Sequence, residues 1–266
     1  MSEFEAAKEL FKDVINPAFY FDSISAESAR KQLFETVGNS EYPFIFIIGD
    51  SGVGKSHLIY STYQSTMVRA LSILIERPYF DPNELIRRLY VLRELPYDEI
   101  KPQSHVLEEL LEAYAGMTCT IFIDEAHLLN ETQWELIYLL GDLNVFQFVL
   151  TSHKEEGAQL LQNQAIKRKA KLVIEYGHLN AAETLRYIHT LLMTKSYGDI
   201  ALMFSKKHAK SIARYTKGNF RMTKRFLYTL MKLLDYAYQN KLSKYTTLSN
   251  CLLTMTALDI GLIRDA

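Results

Sequence analysis

The sequence is poor in cysteine. Cys119 and Cys251 are the only two among 266 residues, and they lie far apart. That excludes a disulfide framework and fits a chain kept in a reducing compartment. Cys119 sits in an apolar run and reads as a small buried residue. The opening Met1-Ser2-Glu3-Phe4-Glu5 is acidic and lacks the basic and apolar stretches of a secretory signal. No apolar run approaches the ~18 residues that cross a bilayer, and the longest candidates, such as Pro43 to Ile48, are strand-sized. We therefore expect a cytoplasmic protein without direct membrane insertion, reaching an inner membrane only as a peripheral component through a partner. The chain also lacks an excess of either charge: its formal net charge is -1, so no overall basic field advertises nucleic acid. Internal repeats, low-complexity tracts and Pro/Gly-rich linkers are absent.

Apolar residues make up 48% of the chain, enough for a sizeable core in one large domain or in a domain with a small satellite. Five short β-branched and aromatic runs alternate with helical stretches: Phe44–Ile48, Leu71–Ile75, Thr120–Ile123, Phe146–Thr151 and Lys171–Tyr176. Each is apolar at nearly every position, as in strands buried on both faces of a parallel sheet. Their alternation with helices predicts an α/β fold with right-handed crossovers. After Tyr176 the pattern changes. Asn180 and Glu183 form a capping-box-like helix start, with Leu185, Ile188, Leu191 and Leu192 on one face. Ser205 caps a second helix reaching about Tyr215. Gly218-Asn219 breaks the chain, and a long helix follows from about Met222 to Tyr238. The expected division is an α/β core over residues 1–178, with residues 1–40 as an N-terminal latch segment, and an all-helical lid over residues 179–266.

Gly49-Asp50-Ser51-Gly52-Val53-Gly54-Lys55-Ser56 fits G-x-x-x-x-G-K-[ST] in full, between a strand and a helix. Glycines let the backbone curl so that successive N–H groups point at phosphate oxygens. The helix N-terminus adds a partial positive charge. Lys55 would reach the β- and γ-phosphates and Ser56 would offer its hydroxyl to Mg2+. These eight residues and the following His57 are the candidate nucleotide-binding set. About 70 residues downstream, as this class requires, an apolar strand ends in Asp124-Glu125. Asp124 would hold Mg2+, directly or through water, and Glu125 would act as general base on the attacking water. The expected cofactors are ATP and Mg2+, and the expected activity is a Mg-dependent ATPase.

Phosphate loop, Asp-Glu strand and helical lid together resemble the AAA+ superfamily: a five-stranded P-loop core followed by a small helical lid. One branch is similar over most of the chain, that of general secretion pathway protein A with the related transposition ATPases. The likeness begins at Ile15-Asn16-Pro17-Ala18-Phe19-Tyr20-Phe21, continues through both nucleotide motifs, and ends at Lys217-Gly218-Asn219-Phe220-Arg221. The resemblance implies further roles. A polar residue after the fourth strand, called sensor 1, is Thr151, Ser152 or His153; Ser152 is grouped with the catalytic candidates. Arg221 would be sensor 2, reaching the γ-phosphate, despite a helix-start position that the dipole disfavours. Arg168, within Lys167-Arg168-Lys169, would be an arginine finger acting in trans, so the active form would be a homo-oligomer. Ile15 to Phe21 would either stack on adenine or latch hydrophobically onto the core.

The resemblance further implies a cytosolic ATPase serving a type II secretion-like or DNA-uptake (competence) envelope assembly. Members of that branch can carry a membrane helix and a wall-binding part, which this sequence lacks up to Ala266, so a separate membrane partner would be needed. The alternative is a DNA-associated ATPase of the transposition-regulator kind, with a basic stripe on the lid from Lys206, Lys207, Lys210, Lys217, Lys224 and Arg225.

Overall fold

The computed structural model describes residues 2–14, 19–39, 41–65, 71–78, 80–98 and 102–263. In chain order its first half holds α1 (Glu3–Lys8), α2 (Ile24–Thr36), β1 (Phe44–Ile48), α3 (Lys55–Gln64), β2 (Ser72–Ile75), α4 (Pro82–Leu92), α5 (Gln103–Ala113) and β3 (Cys119–Ile123). There follow α6 (Glu131–Asp142), β4 (Phe146–Ser152), α7 (Lys154–Gln162), α8 (Gln164–Lys167) and β5 (Lys171–Glu175). The remainder is helical: α9 (Ala181–Thr194), α10 (Gly198–Leu202), α11 (Lys206–Thr216), α12 (Phe220–Gln239) and α13 (Asn250–Asp259). Two compact units result. One is Ala26–Ser51 with Lys55–Tyr176; the other is Met1–Ser25, Gly52–Gly54 and Gly177–Ala266.

In the α/β unit all five strands run parallel, in the order β2-β3-β4-β1-β5. Every residue of β1, β3 and β4 is buried, as expected of largely apolar runs in a parallel sheet. Strand β5 departs from that expectation: it is an edge strand, and Val173 is 37% exposed. Phe44, Phe46 and Ile48 of β1 join one core cluster with Leu89 of α4, Leu110 of α5 and Ile137 of α6. The largest buried polar side chain of the sheet is Gln147 of β4. Its amide donates to the carbonyls of Thr36, Asn39 and Tyr42 at 3.0, 2.8 and 3.0 Å and accepts from the Gly38 N–H at 2.9 Å. One side chain thus ties the backbone of the α2–β1 connection to the sheet.

In the helical unit each main helix starts at a polar cap. Asn180 with Glu183, and Ser205 with His208, form full capping boxes, and Asn219 caps α12. The core of this unit gathers Tyr187, Ile188 and Leu191 of α9 with Phe226, Leu227 and Leu230 of α12. Ala7, Phe11 and Phe21 belong to the same cluster. Residues 1–25 therefore group with the helical unit and not with the α/β core, where the sequence-based division at 178 had put them. The reason is complementarity: Phe21 packs edge-on against Tyr187 at 5.3 Å and parallel to Phe220. Of the Ile15–Phe21 segment, Ile15–Ala18 lie outside the described residues. Phe21 is 7% exposed within the helical unit's own cluster. At the break before α12, Gly218 has φ +68, and a Cβ there would lie 2.0 Å from the Leu179 carbonyl oxygen. Only glycine allows the two backbones to pair so closely.

Candidate active site

Strand order brings the predicted motifs together. Strands β1 and β3 lie on either side of β4, so the phosphate loop after β1, the acid pair after β3 and the end of β4 share one edge of the parallel sheet. Ligand sites of open α/β sheets form at such carboxyl ends. The register is explicit: Ile123 pairs with Leu150 and Ile47 with Thr151. Asp124, one residue beyond Ile123, therefore arrives level with Thr151.

Lys55 opens α3 and is only 7% exposed. A buried ammonium needs acceptors, and Nζ donates to the carbonyls of Gly49 at 2.8 Å and Asp50 at 2.9 Å. The lysine thus lies folded over the loop that it belongs to. Ser56 and His57 follow, half-buried, in the first turn of α3. Within the other unit, Gly52 (φ +78) accepts the Arg221 N–H at 2.9 Å, and a Cβ on Gly52 would meet Arg221 Cβ at 2.7 Å. Side chains larger than hydrogen have no room there.

Glu125 takes a left-handed conformation, φ 53 and ψ 43, immediately before a short 3-10 turn. A non-glycine residue there carries strain on the order of 1 kcal/mol. Its N–H donates to Thr151 Oγ1 at 2.9 Å and to Asp124 Oδ1 at 3.1 Å. The Thr151 hydroxyl in turn donates to Asp124 Oδ1. Thr151 is fully buried, Asp124 half-buried and the Glu125 side chain exposed. The strained turn therefore projects Glu125 into solvent while Asp124 is held against the sheet.

Thr151, Ser152 and His153 have different surroundings at the end of β4. Thr151, and not Ser152, touches the acid pair. Adjacent strand residues face opposite sides, and the Ser152 hydroxyl is buried with no hydrogen-bond partner among the described residues. His153 stands at the N-cap of α7 with its ring 4.4 Å from that of His127. Burial first, and the neighbouring His153 second, hold the His127 imidazole below its ordinary value. His127 carries no sequence motif, so only the meeting of two loops reveals the pair.

Arg221 stands in the first turn of α12 with its side chain half-exposed, and its Nε lies 2.9 Å from Asp13 Oδ2. That carboxylate offsets the unfavourable position at a helix start; Asp13 lies outside any motif. Arg168 caps the C-terminus of α8, is exposed, and makes no ion pair with a described residue. Its neighbour Lys169 pairs with Asp142 and lies over the Phe44 ring.

The residues suit the expected ligands. Among the described residues no group of three or more His, Cys, Asp or Glu side chains could hold a metal. Mg2+ does not need one: it takes one or two protein oxygens and completes its shell with phosphates and water, which the Ser56 hydroxyl and the Asp124 carboxylate would allow. The loop N–H groups and Lys55 supply donors for phosphate. No helix of the described residues is long and apolar enough to cross a membrane.

Residues 39–161 match the family model described as AAA domain. No curated protein sequence matches the chain. Among solved structures the chain is similar to Drosophila ORC bound to DNA, at 12% identity and TM-score 0.66, covering 97% of this chain and 66% of that one. It is similar to Cdc6p from Pyrobaculum aerophilum, at 14% identity and TM-score 0.58, covering 88% and 66%. It is also similar to domain III of the Thermotoga maritima replication initiation protein DnaA, at 17% identity and TM-score 0.52, covering 94% and 98%. The chain thus spans about two thirds of the length of the first two, and at such identities the likeness is one of fold. The five-stranded parallel sheet flanked by helices, with residues 39–161 matching the AAA domain model, gives the chain the α/β fold of the AAA+ P-loop NTPases, followed by a helical region.

Proposed function

We propose that the protein is a Mg-dependent ATPase whose hydrolytic centre is Lys55, Ser56, Asp124, Glu125 and Thr151. The observation that carries this reading is the Thr151 hydroxyl joined to both members of the acid pair. Bound Mg2+ would neutralise charge on the β- and γ-phosphates. Lys55 would exchange its loop carbonyls for phosphate oxygens. Glu125 would orient a water and accept its proton, and Asp124 and Ser56 would hold the metal. Thr151 would fix the Asp124 carboxylate and sense the γ-phosphate. Arg221 would leave Asp13 to act as sensor 2, and the exposed Arg168 would serve a neighbouring protomer, which makes a homo-oligomer the active form.

For the client we favour DNA over an envelope assembly. The secretion reading rests on sequence motifs alone, and neither the family match nor the structural likenesses repeat it. The DNA reading is supported by likeness to an ORC bound to DNA and to a replication initiation protein.

ATP turnover measured against protein concentration, with and without duplex DNA, tests these assignments together. Lys55→Ala should abolish nucleotide binding, and unchanged affinity would remove the central assignment. Turnover rising with concentration, and lost on Arg168→Ala without loss of binding, supports the finger; turnover independent of both refutes it. Stimulation by DNA supports the client, and indifference to DNA returns the envelope reading to first place.

A further inference from the structure

The net charge of -1 conceals a strong separation along the chain. Residues 177–266 contain fourteen Lys and Arg against five Asp and Glu, a formal +9, while residues 1–176 contain sixteen against twenty-six, a formal -10. The weak overall field expected from composition is therefore an average of two opposite ones.

Burial concentrates the positive charge further. Of the acids in α9 to α13, Glu183 and Asp235 are buried, leaving Asp199 and Asp259 exposed. The acids of the first 25 residues largely face cations of their own unit: Glu5 pairs with Lys8, Glu9 with Lys12, Asp13 with Arg221 and Asp22 with Arg186.

Helix α11 carries the densest group. Lys206, Lys207, Lys210, Arg214 and Lys217 are all exposed, and the helix contains no acid. At 100° per residue the five span one 100° face, opposite the buried Ala209, Ile212 and Thr216. None of the five makes an ion pair with a described residue; Arg214 lies over the Tyr215 ring. Lys206, Lys210 and Arg214 follow one another at about 6 Å along the axis.

Local stability does not explain these positions. Lys206 and Lys207 occupy the first turn of α11, where the helix dipole favours acids. Lys217 takes φ 52 at the helix end, where glycine is the unstrained residue. Lys224 does not belong to the group: it is half-buried, donates to the Val14 carbonyl at 3.1 Å and lies over Phe220.

We propose that the exposed face of α11 binds the phosphate backbone of duplex DNA. A row of unpaired cations matches a polyanion with one charge per ~1.7 Å of helix axis. The face presents no aromatic platform or carboxamide pattern for reading bases, so binding is indifferent to sequence. This inference rests on the DNA-associated reading above and adds where the contact is made.

The test is fluorescence anisotropy of the full chain with a labelled random-sequence duplex, with and without ATP, across a salt series. The comparison is Lys206→Glu with Lys210→Glu against Lys241→Glu with Lys244→Glu, an equal charge change at exposed lysines outside α11. The wild type should bind with log K falling against log salt at about -0.9 per phosphate neutralised, about -4.5 if all five cations engage. The α11 variant should lose at least tenfold in affinity and about two from that slope, and the control less than threefold. Equal loss in both variants, or in neither, would leave DNA as client and overturn the α11 assignment. No binding by the wild type at low salt in any nucleotide state would overturn the DNA reading itself. Binding of phosphatidylglycerol vesicles in place of duplex, lost in the α11 variant, would overturn the proposal in favour of a membrane surface. Melting curves matching the wild type exclude misfolding as the cause.

Discussion

The Thr151 hydroxyl donates to the Asp124 carboxylate while its oxygen accepts the N–H of Glu125. Both contacts come from one buried atom on the middle strand, so the end of β4 sets the geometry of the acid pair on β3. Thr151→Val keeps the shape and removes both bonds. We expect turnover to fall by at least tenfold with nucleotide affinity changed less than threefold. Ser152→Ala, one residue away on the opposite face, should leave turnover near wild type. Steady-state kinetics with nucleotide titrations check the pair, and the reverse ranking would restore Ser152 as the sensor.

Glu125 combines strain with chemistry. Glu125→Gln should bind ATP normally and hydrolyse it about 10²–10⁴-fold more slowly, the range for a lost general base. Glu125→Gly should be equally inactive yet more stable, by up to about 1 kcal/mol, because glycine takes φ 53 without strain. Thermal unfolding beside single-turnover assays reads both effects. A glycine variant less stable than wild type would mean that the turn is unstrained.

His127 predicts a pH dependence of stability. Burial, then His153, lowers its folded value below the ordinary 6.5. Between that lowered value and 6.5 the unfolded chain binds the proton and the folded chain does not. Stability therefore falls as pH drops below 6.5 and levels off once the folded imidazole also protonates. His127→Gln should flatten this dependence between pH 7.5 and 5. Parallel melting curves for the two proteins across that range would count against the assignment.

Gln147 bears on stability without touching the site. Gln147→Leu takes their donor from the half-buried carbonyls of Thr36, Asn39 and Tyr42. Each such bond contributes about 0.5–1.5 kcal/mol net, so we expect destabilisation of at least about 1 kcal/mol in urea melts. A neutral substitution would show that water replaces the amide.

Lys217 separates stability from binding. Lys217→Gly removes a side chain from φ 52 and should raise the melting temperature while weakening duplex binding. A variant that loses both would place Lys217 in the fold and not in the DNA contact.

The sequence by itself determined the phosphate loop, the Asp124-Glu125 strand end, the five strands and the caps at Asn180 and Ser205. Each is encoded by residues within a few positions of one another, where backbone geometry and hydrophobic period act directly. Even the charge separation between residues 1–176 and 177–266 is present in the one-dimensional chain, although a net charge conceals it. Only the tertiary structure placed Thr151, and not Ser152, against Asp124, because that partner lies 27 residues away and the strand order β3-β4-β1 brings them level. It likewise assigned Phe11 and Phe21 to the helical unit, gave Arg221 its carboxylate in Asp13, and withdrew Lys224 from the basic face. Those outcomes depend on which distant surfaces meet, and residue spacing along the chain carries no measure of that.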